Sequence, residues 1–294
     1  MVCDPLVIDV SIAARLVSAR FPGWAELPLV PLESSGTDNA VFRLGDHACL
    51  RMPRLLTADR QLLKEAEWLP RLGPLPLETP KPLALTGPFD HYPCHAAVYD
   101  WLPGATALDV PPSDMNAAAH ALAGFLVALR RRPTDGGPQS GPQNQYRGAP
   151  LAFRDTLTRK ALSRLSGHID VECLSALWAS CLNAPAHQGP GIWLHGDLHG
   201  GNLIVADGVL AGVIDFGLIG VGDPAADLTV AWSFLDEASR ETFRRALAAD
   251  EAEWRRGQGW ALSTAAIAFD HYRDANPTLS ALSLRALKAL EAVA

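Results

Sequence analysis

The chain has 294 residues, 48% of them hydrophobic and 19% charged, with a formal net charge of −7. That length suffices for one large domain or two lobes with a substantial core, and the composition excludes a disordered chain. The acidic balance argues against a non-specific nucleic-acid binder, which needs a basic footprint, and is compatible with a cationic small-molecule substrate.

The first ten residues, MVCDPLVIDV, have no basic n-region and carry two early acids, so they do not read as a signal peptide. No apolar run approaches the roughly 20 residues of a membrane helix, and no membrane partner is expected. The five cysteines, Cys3, Cys49, Cys94, Cys173 and Cys181, show no CxxC or similar spacing. Free thiols in a reducing cytoplasm account for them, so a cytoplasmic location is expected.

Along the chain, LPLVPLESSG, NAVFRLGD and HACLRMPR read as three short strands separated by turn residues. Phe42 and Leu44 alternate with Val41 and Arg43, as in a half-buried strand. ADRQLLKEAEWLPRL puts Leu62, Leu63, Ala66 and Leu69 at helical spacing. PKPLALTG and HAAVYDWL read as two more strands. The first 100 residues therefore predict a sheet of about five strands with one inserted helix.

After DWLPG the character changes. Residues 114–132 predict a helix, with Ser113 or Asp114 as its cap and arginines in its last turn. Residues 133–147 are rich in Pro, Gly and Gln and read as a long loop, mobile or functional. Helices are expected at about 151–166 and 171–184, and short strands at GIWL, NLIVA and AGVID. From Pro224 onward nearly everything reads as helix.

The chemistry is concentrated in WLHGDLHGGN, residues 193–202. As Gly-Asp-x-His-Gly it resembles the first metal-binding block of metallophosphoesterases. Such a site needs several further ligands for two metals, but the only histidine after His199 is His271, inside a helical pattern. As His-x-Asp-x-x-x-x-Asn it resembles the catalytic loop of the kinase fold. There, one Asp orients the attacking hydroxyl, an Asn five residues later holds Mg²⁺, and a second Asp on the next hairpin joins Mg²⁺ to the phosphates. Asp197, Asn202 and Asp215 of VIDFG stand at those places. LIVADGVLAGV between them reads as two strands around a turn at Asp207-Gly208, which would set Asn202 and Asp215 side by side. An oxygen-only donor pair suits a hard cation such as Mg²⁺.

The N-terminal strands meet the same demands. ESSGTDNAV lies where a loop would cover nucleotide phosphates, with small and hydroxylated residues able to present N–H groups. Arg51 lies on the third strand, and the next helix offers Glu65, ahead of Glu67, as the acid that fixes it. There is no Walker A motif.

WLHGDLHGGNLIV, GVIDFG and GDPAADL resemble the aminoglycoside phosphotransferase family. This family of small-molecule kinases includes choline-kinase-like and homoserine-kinase-like enzymes and shares the protein-kinase fold. GTDNAVFRLGDHACLRMPR and RGAPLAFRD are similar to a bacterial branch of it.

The resemblance implies an α+β, bilobal protein-kinase-like fold: a small antiparallel β N-lobe with one helix over 1–98, a hinge at 99–104, and a larger, mostly helical C-lobe over 105–294. It implies Asp197 as catalytic base and Asn202 and Asp215 as Mg²⁺ ligands. Arg51, paired with Glu65, would contact the α/β-phosphates of ATP or GTP, and Ser35, Gly36 and Thr37 would cover them. Tyr99, Asp100 and Trp101 would form the hinge that reads the purine, and His195 would orient the catalytic loop. Asp270, His271 and Asp274, on a C-terminal helix, would contact the acceptor.

Two positions depart from the family pattern: Gly200 stands where Pro is common, and Arg51 where many relatives have Lys. Asp223 and Asp227 are expected to be structural, capping the helix after Pro224, and His199 is read as a loop residue. The expected activity is phosphorylation of a small-molecule hydroxyl, an aminoglycoside or similar antibiotic first, by a monomer or homodimer. The alternatives are a metabolite kinase acting on choline, homoserine or a sugar, and a nucleotide-binding regulator with weak catalysis.

Overall fold

A computed structural model describes residues 5–32 and 38–294. The chain divides into two compact units, residues 1–74 with 78–103, and residues 75–77 with 104–294.

The first unit is a five-stranded antiparallel sheet with two helices. Its elements are α1 (Val10–Arg20), β1 (Leu29–Pro31), β2 (Asn39–Leu44), β3 (Ala48–Pro53), α2 (Leu56–Trp68), β4 (Pro82–Thr86) and β5 (Ala96–Asp100), with strand order β1-β2-β3-β5-β4. In β2, Ala40, Phe42 and Leu44 are buried while Asn39, Val41 and Arg43 are half-buried, the period-two pattern of a one-sided strand. Leu50, Met52 and Val98 join them, and α1 covers this face with Ala13, Leu16 and Val17.

Helix α1 was not expected. It starts where the Asp9 carboxylate accepts the Ile12 N–H at 2.9 Å, and its buried residues lie at i, i+3 and i+4. Helix α2 ends in a short 3₁₀ turn, Leu69–Leu72, because Pro70 cannot continue an α-helix.

The second unit contains β6 (Ala105–Thr106), α3 (Met115–Arg130), α4 (Asp155–Leu162), α5 (Val171–Leu182), β7 (Ile192–Leu194), β8 (Leu203–Ala206), β9 (Val209–Val213), β10 (Gly220–Gly222), α6 (Val230–Ser233), α7 (Glu237–Leu247), α8 (Glu251–Tyr272) and α9 (Pro277–Glu291). The strands form two small sheets, β6-β8-β9 and β10-β7. Asp114 caps α3 by accepting the N–H groups of Asn116 and Ala117. The helix expected over 151–166 is shorter: it opens as a 3₁₀ turn at Leu151–Arg154, after Pro150, and its α-helical part stops at Leu162. There the N–H groups of Arg164, Leu165 and His168 turn to carbonyls three residues back.

The loop of residues 133–147 is tied down. Val221 N–H donates to the Pro138 carbonyl at 2.8 Å, and Ser140 N–H to the Val221 carbonyl at 3.1 Å. Asn144 is fully buried and bonds Gly141 and Arg147.

Helix α8 carries two glycines in its first half, each costing about 1 kcal/mol relative to Ala in a helix interior. Close packing explains them. A Cβ on Gly257 would lie 2.6 Å from Leu228, and one on Gly259 would lie 2.6 Å from Leu151 and 2.9 Å from Cys181. Among the described residues no helix is long and apolar enough to cross a membrane, and Cys49, Cys94, Cys173 and Cys181 are free thiols. Cys3 lies outside the described residues.

Candidate active site

The loop after β7 and the β8-β9 hairpin carry the polar residues of the central motif. The hairpin turns at Asp207-Gly208, with φ of 50° and 78°, the left-handed pair a tight two-residue turn requires. Its register pairs Leu203 with Val213, and Ile214 N–H donates to the Asn202 carbonyl at 2.9 Å. Asn202 and Asp215 therefore leave the same end of one hairpin.

Asp215 sits at φ 63°, ψ 69°, a left-handed conformation that is uncommon for a residue with a Cβ. Such strain costs on the order of 1–3 kcal/mol and collects at functional positions. Its Oδ1 accepts the Gly217 N–H at 3.4 Å.

Asp197 is half-buried, its side chain 34% exposed. Its N–H donates to His195 Nδ1 at 3.2 Å, and its carbonyl accepts Asn202 Nδ2 at 2.9 Å. That bond engages the nitrogen of the Asn202 amide and leaves Oδ1 as its acceptor end. His199 Nδ1 accepts the Gly201 N–H at 3.1 Å, so the ring proton of neutral His199 lies on Nε2, 3.8 Å from Asp197 Oδ2.

His195 is fully buried, and burial pushes its pKa down. Its Nε2 lies 3.0 Å from the Ile214 carbonyl and must carry the proton. Nδ1 is then the lone pair that receives the Asp197 N–H. One neutral imidazole thus ties the catalytic-type loop to the end of the hairpin.

Asp227 holds the same loop from below. Its carboxylate accepts the N–H groups of His195 at 2.8 Å and Gly196 at 2.7 Å. Burial pushes its pKa up, and these two N–H donors oppose the shift. Gly196 has φ of 87°, and a Cβ there would lie 2.5 Å from the Leu218 carbonyl oxygen, so the loop closes only with glycine. Asp223 caps the turn at Pro224 by accepting the Ala225 N–H at 3.0 Å, and it also pairs with Arg256 at 2.7 Å.

Sequence reading missed Arg147. It is buried, its Nε donates to the Gly196 carbonyl at 2.7 Å, and its Nη1 donates to Thr264 Oγ1 at 3.1 Å. Nη2 lies 3.8 Å from Asp197 Oδ1. Burial pushes its pKa down, against the pull of Asp197 and Asp227. Burial, reinforced by Arg147, brings neighbouring Arg154 down to about 9. A guanidinium keeps its charge in proteins at neutral pH.

In the first unit, Arg51 Nη1 lies 2.8 Å from both Glu65 oxygens, and Glu65 is fully buried. The guanidinium also lies over the Tyr99 ring, 5.4 Å from its centre. Tyr99 and Asp100 are the end of β5 and not a free segment. Asp100 N–H donates to the Lys81 carbonyl at 3.0 Å, and Trp101 N–H to the His47 carbonyl at 2.9 Å. Those two N–H groups are engaged inside the unit. Ser35, Gly36 and Thr37 lie outside the described residues.

Asp270 and His271 fall in the last turn of α8, and Asp274 in the turn just beyond it. Asp270 pairs with Arg164 at 3.1 Å and Arg273 at 3.9 Å, and exposed Asp274 pairs with Arg273 at 3.6 Å. His271 is exposed and lies seven residues, two helical turns, beyond Thr264 on the same face.

Among the described residues no group of three or more His, Cys, Asp or Glu side chains is placed to hold a metal ion. The multi-ligand cage of a metallophosphoesterase is therefore not assembled there. The pair of Asn202 Oδ1 and the Asp215 carboxylate fits a hard cation that takes its remaining oxygens from phosphates and water.

The model of the Phosphotransferase enzyme family matches residues 30–260. No curated protein matches by sequence. Among solved structures, the GDP and kanamycin complex of APH(2")-IIia has a TM-score of 0.75 at 18% identity, over 96% of this chain and 98% of that one. The GDP complex of wild-type aminoglycoside 2'-phosphotransferase-IIIa has a TM-score of 0.74 at 17% identity, over 97% and 99%. A thermostable mutant of aminoglycoside phosphotransferase APH(4)-Ia, in ternary complex with ADP and hygromycin B, has a TM-score of 0.62 at 18% identity, over 96% and 98%. At such identities the likeness carries the kinase-like α+β fold.

Proposed function

The chain belongs to the phosphotransferase enzyme family, and on that premise we propose that it transfers the γ-phosphoryl group of ATP or GTP to a hydroxyl of a small molecule. The observation that carries this reading is the single loop and hairpin that bears Asp197, Asn202 and Asp215, locked by neutral His195.

In this reading Asp197 orients the acceptor hydroxyl and takes its proton. Asn202 and Asp215 would hold Mg²⁺, which would supply electrostatic stabilisation of charge on the transferring group. Asn202 also fixes the Asp197 backbone, so base and metal ligand keep one geometry. Arg51, braced by Glu65, takes the α/β-phosphates, and Ser35, Gly36 and Thr37 cover them. With the Asp100 and Trp101 N–H groups engaged, purine recognition over Tyr99–Trp101 would fall to backbone carbonyls. The roles divide as nucleotide binding over 1–98, a hinge over 99–104, and catalysis and acceptor binding over 105–294.

The acceptor assigned first is an aminoglycoside or similar hydroxylated antibiotic. The kanamycin and hygromycin B complexes of the structural relatives support it, as does the acidic charge of the chain. His271 lies on the α8 face that carries Thr264, which supports an acceptor role for it. Asp270 and Asp274 would have to leave their arginines to take one.

The test is a coupled nucleotide-consumption assay with ATP and GTP and Mg²⁺, against aminoglycosides, macrolides, peptide antibiotics, choline, homoserine and sugars. Mass spectrometry would follow the gain of one phosphoryl group. Turnover on an antibiotic supports inactivation by O-phosphorylation. Turnover only on a metabolite moves the function to metabolism. Nucleotide binding without transfer to any acceptor favours a regulator.

A further inference from the structure

Arg147 is a buried cation whose nearest carboxylate is too far away to close a hydrogen bond. Arg–carboxylate pairs usually form forked bonds at about 2.7–2.9 Å. Here Nη2 stands 3.8 Å from Asp197 Oδ1. The guanidinium cannot swing closer without breaking its bonds to the Gly196 carbonyl and Thr264 Oγ1. Those two bonds come from the loop beside Asp197 and from α8, so Nη2 is aimed from two sides. Burying Arg147 beside Arg154 is costly, because among the described residues Asp197, partly exposed, is the one acid within 4 Å and Asp227 acts from farther off. An arrangement of that kind marks a functional position more often than a structural one.

The gap has the size of one oxygen atom. An oxygen about 2.8 Å from both Nη2 and Oδ1 closes a triangle on the observed base, at ordinary hydrogen-bond lengths. We propose that Arg147 is a further catalytic residue, its Nη2–H holding the oxygen of the attacking hydroxyl while Asp197 Oδ1 receives that hydroxyl's proton. This rests on the reading of Asp197 as the base. As the O–H bond breaks, its proton goes to Asp197. The oxygen forms the new O–P bond, and the nucleoside diphosphate leaves with the electron pair of the broken P–O bond. Negative charge grows on the attacking oxygen when the proton moves ahead of bond formation, and a fixed, desolvated cation there stabilises it.

The test uses the full chain with MgATP and with MgGTP, and water as the acceptor. Water needs no other recognition and would take the same place as the hydroxyl. Basal hydrolysis, nucleotide affinity and melting temperature are measured for wild type, Asp197→Asn, Arg147→Gln and Arg147→Lys. Arg147→Gln is expected to lower hydrolysis about 100-fold, the scale seen when one such donor is lost, with nucleotide affinity within about twofold. Arg147→Lys keeps a cation without the fork, and is expected to recover at least about tenfold of that loss.

If Arg147→Gln hydrolyses within about threefold of wild type while Asp197→Asn is impaired, Arg147 has no such role and the base assignment stands. If Asp197→Asn is also unimpaired, the base assignment fails and takes this one with it. Should Arg147→Gln not fold, Arg147→Lys decides. A folded lysine variant as inactive as Asp197→Asn would show that the fork serves only to brace Gly196, and would overturn the proposal.

Discussion

Asp227 Oδ2 accepts the backbone N–H of His195 at 2.8 Å across 32 residues of sequence. The other oxygen takes the next N–H, that of Gly196, at 2.7 Å. A carboxylate suits the position because both of its oxygens accept, whereas an amide offers one acceptor and one donor. Asp227→Asn therefore leaves one buried loop N–H facing another donor, at a cost of about 1–3 kcal/mol. The melting temperature is expected to fall by several degrees. Turnover measured well below the melt is expected to fall about a hundredfold, because the loop that positions Asp197 shifts. Turnover unchanged in a folded variant would show that the loop needs no such anchor.

The two acids of the proposed centre separate by readout. Asp197→Ala is expected to lower turnover about a thousandfold while nucleotide binding persists, since a base is needed only when the proton moves. Asp215→Ala is expected to abolish the Mg²⁺-dependent part of nucleotide binding. Calorimetric titration with and without Mg²⁺ checks both, and titration curves identical to wild type would remove Asp215 from the metal site.

The Arg51–Glu65 pair is buried on the Glu65 side, so removing one partner breaks the ion pair where water cannot replace it. Glu65→Gln is expected to destabilise the chain by about 3–5 kcal/mol. Replacing both, Arg51→Met with Glu65→Leu, is expected to restore much of the melting temperature but none of the nucleotide affinity. Recovery of affinity in the double variant would assign the pair to stability alone.

Cys181 predicts an alkaline limb. Burial raises its thiol from 9.0 to about 12. Below pH 9 both folded and unfolded chains keep the proton. Between pH 9 and 12 the unfolded chain loses it and the folded chain does not, so stability falls as pH rises. At pH 10.5 the loss is about 2 kcal/mol. Denaturation midpoints from pH 8 to 10.5 should slope less steeply in Cys181→Ala than in wild type, whatever the variant costs at pH 8. Parallel slopes would refute the assignment.

Local features were readable from the chain in proportion to how close in sequence their causes lie. The Asp207-Gly208 turn, the Asp114 and Asp223 caps, and the Asn202–Asp215 hairpin each follow from residues within one element of each other. The stripe of helix α1, Ala13, Leu16 and Val17, is local too, but it is short and interrupted and so gives a weak helical signal. Arg147 was out of reach: its carbonyl partner, Gly196, is 49 residues away and its hydroxyl partner, Thr264, 117. The engagement of the Asp100 and Trp101 N–H groups was hidden likewise, because only the sheet brings Lys81 and His47 to them. Asp227 was read as structural, but its targets, the N–H groups of His195 and Gly196, emerged only with the tertiary fold.

Helix α8 has consequences for how such an enzyme changes over generations. Its first half is seated at backbone distance by Gly257 and Gly259 and carries Arg256 to Asp223. Its middle supplies Thr264 to Arg147, and its far end turns outward through His271. Heritable variation is therefore unevenly permitted along one rod. A methyl group added at Gly257 would be felt at the His195–Gly196 loop through Leu228, one residue from Asp227, while drift at the exposed end leaves that loop intact. If His271 takes the acceptor role proposed for it, new acceptor preferences would arise by substitution at that end, and revertants of a damaged loop should be sought among residues packed against Gly257 and Gly259.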